Sequence, residues 1–163
     1  MIQNTLTWYT GEIFEARFIL GFGVITIIVG LLFYFYGSVP TAKALLIPLI
    51  VIGSIFTAIG ANMSRSNQKK VSEVVATYTK DKVAFIEAEK KRVEDFQYLY
   101  PMSIGISLVC FAVALGLLYF VKNVQWQAIA ISLILFGSAF AIIDYFSKER
   151  ATIYYEKLIN FKS

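Results

Sequence analysis

The sequence predicts an all-α membrane protein: four transmembrane helices forming two parallel-repeat hairpins, with a cytoplasmic helical stalk. Three observations predict it. First, residues 18–36, 45–63, 102–121 and 126–146 are apolar runs with no formal charge before Asp144. Each holds about 20 residues, the length a helix needs to cross a hydrocarbon core of roughly 30 Å. Second, of 15 Lys and Arg residues, only Lys43 and Lys122 fall in the short connections at 37–44 and 122–125. That asymmetry places both termini and the middle segment in the cytoplasm. Third, the halves match: Gly30-Leu31-Leu32-Phe33 aligns with Gly116-Leu117-Leu118-Tyr119, and Gly53-Ser54-Ile55-Phe56 with Gly137-Ser138-Ala139-Phe140. Because each half begins and ends on one side, the repeats are parallel, related by an axis along the membrane normal.

The chain is 163 residues long and 58% hydrophobic, so what lies outside lipid is too short and broken for a separate domain of ordinary size. Residues 1–17 are expected to form an interfacial helix at the headgroups, anchored by Trp8 and Tyr9. Residues 18–63 form the first hairpin. Ala42-Lys43-Ala44 has the form of a signal-cleavage site. The apolar stretch before it is too long for a signal core, so the first run is expected to remain as a helix. Pro48 sits where it would kink the second span.

Residues 64–100 lack Gly and Pro. Val71, Val74, Val75 and Tyr78 share one helical face, continued by Ile86 and Val93. A straight helix of that length would end about 50 Å from the membrane it must re-enter, so two antiparallel helices turning near residues 79–82 are expected. Residues 101–146 form the second hairpin, with Pro101 suited to the first turn of a helix. Residues 147–163 carry Tyr154, Tyr155 and Leu158 on one face, expected to complete a three-helix stalk. Val71, Val74, Val75, Tyr78, Ile86, Val93, Tyr154, Tyr155 and Leu158 together form a candidate cytoplasmic interaction face.

Small residues recur on the spans: Gly23, Thr26 and Gly30; Gly53 and Thr57; Gly105, Ala112 and Gly116; Gly137 and Ala141. Such faces let helix backbones approach closely where lipid removes the hydrophobic drive to associate. They are candidate surfaces for packing within the bundle or between protomers. Asp144 is the one acidic residue inside a span, and Lys148 lies one turn on, so an ion pair is expected. Glu87, Glu89, Glu94 and Asp95, interleaved with Lys90, Lys91 and Arg92, read as a solvated helix face.

Composition restricts function. There is no His and a single Cys, Cys110, which removes the usual zinc and thiol chemistries. Gly21 and Gly23 lack the third glycine and the strand of a dinucleotide loop. No catalytic, metal-ligating or cofactor-binding residues are expected, and the chain is not read as an enzyme. The net charge of +4 is spread among acidic residues, so nucleic acid is not an expected partner. The expected partners are the lipid bilayer, a second copy of the chain or another membrane protein, and a cytoplasmic protein. The leading expectation is a non-enzymatic protein of the bacterial inner membrane acting by protein–protein interaction, such as an immunity or assembly factor. The alternative is an oligomeric channel or pore-forming effector, for instance in bacterial defence.

Overall fold

The computed structural model describes residues 1–161; Lys162 and Ser163, the last two residues of the expected C-terminal segment, lie outside them. The described residues fold into six helices and no strand: α1 (Ile2–Tyr36), α2 (Pro40–Ala44), α3 (Leu46–Lys80), α4 (Lys82–Phe96), α5 (Leu99–Phe120) and α6 (Val124–Ile159). Four segments are long and apolar enough to cross a membrane: α1, α2–α3, α4–α5 and α6.

The breaks follow from local chemistry. Gly37 ends α1 in an extended conformation, and its N–H reaches the Phe33 carbonyl. A Cβ there would lie 2.2 Å from that oxygen, so only glycine fits. Pro40 holds Val39 extended and opens α2. The break at Leu45 is the expected effect of Pro48, which has no N–H for the Ala44 carbonyl. Asp81 separates α3 from α4, within the turn read from the sequence. Its carboxylate accepts from the Val83 and Ala84 N–H groups, both at 3.0 Å, and so caps α4. Pro101 lies in the first turn of α5, and the Asn123 side chain caps α6 at the Gln125 N–H.

α1 and α3 pack along most of their length. Ideal Cβ positions show Gly30 against Leu49, Gly23 against Gly53 and Thr57, and Gly60 against Ala16, so the two helices run antiparallel. The buried residues of α1 are Thr5, Tyr9, Glu12, Ala16, Ile19, Gly23, Thr26 and Gly30. Their alternating spacing of four and three is the seam of a coiled coil. α6 crosses this pair: Phe136 and Ile143 pack on the Ile19–Ile52–Phe56 cluster, and Ala128 joins Leu45 and Leu49. α5 packs on α6 and makes no comparable contact with α1 or α3.

At the end of the molecule holding the termini, four helical segments share a core. Tyr9 of α1, Val74 of α3 and Phe85 of α4 form one cluster; Val93 of α4 with Tyr154 and Leu158 of α6 form another. Trp8 touches both. This corrects the expectation for residues 1–17. The segment is not a separate helix with anchoring rings turned to lipid but the first half of α1, with Tyr9 only 1% exposed.

Candidate functional site

Two charged groupings are buried where these segments meet. Glu89 of α4 is 7% exposed. It accepts from Arg92 Nε at 3.0 Å and Nη2 at 2.7 Å, a two-pronged pair one helical turn apart. The Tyr154 hydroxyl donates to it at 2.9 Å and shares a hydrogen bond with the Thr5 hydroxyl at 3.0 Å; the Tyr9 hydroxyl approaches at 3.4 Å. The Arg92 guanidinium lies 4.5 Å from the Trp8 ring and 5.1 Å from the Tyr9 ring. α1, α4 and α6 are thus joined through one buried, well-partnered carboxylate. Burial pushes both tyrosine hydroxyls up in pKa, and Glu89 beside them adds to the rise.

The second grouping binds α1 to α6. Arg150 Nη2 meets Glu12 at 2.6 Å and also pairs with Glu15. Two carboxylates therefore share one guanidinium. Burial, aided by Glu15, pushes Glu12 up to about 7, against the pull of Arg150 and Arg92. Between the ordinary carboxylate range and that value, the folded chain holds a proton that the unfolded chain has lost. This group's contribution to stability therefore declines as pH rises through the window, by on the order of 3 kcal/mol. Glu12→Gln is expected to flatten that slope. A thermal midpoint of wild-type protein in detergent that climbs between about pH 5 and 7 would contradict the assignment.

Beside both groupings is a cavity of about 350 Å³ to which α1, α3, α4, α5 and α6 all contribute, including Trp8, Glu12, Asn62, Arg92, Tyr100 and Asp144. Asp144 does not form the expected pair with Lys148, as no such contact occurs within 4 Å. It lies beside the Ser103 hydroxyl of α5, while Lys148 is exposed along α6. One turn of helix brings the two residues to the same side but does not make them meet.

The other sequence-predicted residues divide into two groups. Gly23, Thr26, Gly30, Gly53 and Thr57 serve the α1–α3 contact, with Thr26 and Thr57 bonding the carbonyls of Phe22 and Gly53 one turn back. Gly137 meets Ser107, Cys110 and Phe111 of α5. Gly105 and Ala112 are exposed, and among the described residues neither Gly105 nor Gly116 has anything within 4 Å of an added Cβ. Ala141 lines a groove between α5 and α6.

The predicted interaction face is mostly used inside the chain. Val74, Val93, Tyr154 and Leu158 are buried; Val71, Tyr78, Ile86 and Tyr155 pack against them, and Val75 alone of the set is exposed. Its periodicity marked a core, because the first half of α1 supplies the fourth wall. The residues absent from the sequence-derived set are Glu12, Glu15, Glu89, Arg92 and Arg150. Their signal was register: Glu89 is one turn from both Phe85 and Val93, and Glu12 continues the Thr5–Tyr9 stripe.

No protein-family model, curated protein or solved structure matches the chain.

Proposed function

We propose that this chain is a small non-enzymatic protein of the bacterial inner membrane that acts by binding another protein within the bilayer. In this reading the four crossings are two repeated hairpins, and both termini and α4 lie in the cytoplasm as a helical stalk. The observation that supports it is the state of α5. Among the four apolar helices it packs against α6 alone, and it leaves the Gly105–Ala112–Gly116 face open. Gly116 occupies the repeat position of Gly30, which receives Leu49 of α3. A partner helix could approach α5 as closely as α3 approaches α1, by backbone contact over small residues. An immunity or assembly factor needs no more than such a surface.

The pore reading has less support within one chain, because Ile19, Ile52, Phe56 and Phe136 fill the space between α1, α3 and α6. It would have to be built between copies.

A photo-crosslinking side chain at Val109, which is exposed beside this face, tests the proposal in native membranes. A discrete protein adduct is expected, lost when Gly105 and Gly116 are both changed to Leu. Lipid adducts alone would overturn the reading. A self-adduct accompanied by conductance in planar bilayers would transfer it to the channel class.

A further inference from the structure

The cavity beside Glu12 and Asp144 lies where the apolar runs stop. Met63 ends the second run and lines it, Tyr100 just precedes the third, and Asp144 is in the last turn of the fourth. α3 and α5 both contribute to its wall yet do not pack on one another. On the membrane reading proposed above, the cavity lies at headgroup depth between α3 and α5, where a lipid can enter without leaving the bilayer.

Its chemistry has two signs. Glu12 and Asp144 bring carboxylates from α1 and α6; Arg92 of α4 brings a guanidinium. Glu12 and Arg92 are each engaged with partners, whereas Asp144 has no cation within 4 Å among the described residues. Trp8 lines the same cavity, its ring 4.5 Å from the Arg92 guanidinium. A ligand that completes the site carries a hydrogen-bonding cation for Asp144 and an anionic oxygen for Arg92, a few bonds apart, on a hydrocarbon tail. We propose that this cavity binds the headgroup of an ethanolamine phospholipid, with the primary ammonium on Asp144 and the phosphate toward Arg92.

The site should rank lipids in a set order. A glycerol headgroup offers no cation for the Asp144 carboxylate. A choline headgroup is cationic but has no N–H to donate to Asp144. The ethanolamine headgroup alone among the three supplies both groups.

Native mass spectrometry of the intact chain in mild detergent, titrated with phosphatidylethanolamine, phosphatidylcholine and phosphatidylglycerol of identical acyl chains, tests this. Ethanolamine lipid is expected to be retained about tenfold better than glycerol lipid, the scale of one charge-assisted hydrogen bond. Asp144→Asn should abolish most of that preference. Glu156→Gln, the same chemical change at an exposed site outside the cavity, should leave it intact. If Asp144→Asn does not fold, Asn62→Leu, which narrows the cavity from the exposed side of α3, takes its place with the same expectation. Equal retention of the ethanolamine and glycerol lipids, or a preference that survives the cavity variant, overturns the proposal. Displacement of the lipid by equimolar soluble glycerophosphoethanolamine would assign the site to a free solute and overturn the lipid.

Discussion

Arg150→Met is expected to destabilise the chain by about 3–5 kcal/mol, the usual result of removing one partner from a buried ion group. The side chain bridges Glu12 of α1 and Glu15 one turn later from its place on α6. Both carboxylates are largely shielded, at 10% and 12% side-chain exposure. Methionine keeps the volume and removes the charge, leaving two carboxylates facing each other with reduced access to water. They would be forced to take up protons or to separate α1 from α6. The thermal midpoint of the purified protein should fall sharply at neutral pH and recover partly in acid, as Glu12 and Glu15 protonate. Adding Glu12→Gln and Glu15→Gln to Arg150→Met should restore most of the loss, because a neutral cluster has no unpaired charge to bury. A single variant as stable as wild type at neutral pH would mean that the carboxylates are hydrated.

The same cluster shows where the sequence was legible and where it was not. Four apolar helices can be read directly, because lipid demands long uninterrupted runs. The turn before α4, seen at Asp81, was expected from distance, on the reading that residues 64–100 leave a membrane and re-enter it. The inward face of α1 could not be read from hydropathy. Its stripe is Thr5, Tyr9, Glu12, Ala16, Ile19, Gly23, Thr26 and Gly30, and only Ile19 is strongly apolar. The helices meet there through small and polar groups, so spacing carries the signal that hydrophobicity does not. Glu12 resembles any solvated glutamate until Arg150 is placed beside it, 138 residues away. Glu89 and Arg92 were legible as neighbours but not as a buried pair, because Trp8, Tyr9 and Tyr154 arrive from distant parts of the chain. For the same reason Val74, Tyr154 and Leu158 read as a face awaiting a partner: the helix that covers them is α1, whose first half reads as an interfacial segment.

Gly23→Ala and Gly105→Ala are expected to change stability in opposite directions, although both replace a span glycine by the residue of highest helix propensity. At Gly23 the new Cβ would lie 2.5 Å from the Thr57 backbone nitrogen and 2.6 Å from the Gly53 carbonyl oxygen. Those are main-chain atoms of α3 and cannot move without moving the helix. α1 and α3 would have to part by close to an ångström, loosening the seam from Gly30 to Ala16. Overpacking of this kind costs on the order of 1–3 kcal/mol or more, well beyond the gain of about 1 kcal/mol in propensity. At Gly105 no other group of the described residues lies within 4 Å of an added Cβ, so the propensity gain stands alone. In one detergent, the thermal midpoint should fall for Gly23→Ala and hold or rise for Gly105→Ala. Equal midpoints for the two variants would show that α1 and α3 are not in backbone contact. This contrast also gives the crosslinking experiment its meaning. If the variant with leucine at both Gly105 and Gly116 also keeps the wild-type thermal midpoint, loss of its adduct reports on the partner and not on unfolding. The corresponding change at Gly30, against Leu49 at 3.0 Å, would disturb the fold and reveal nothing about association.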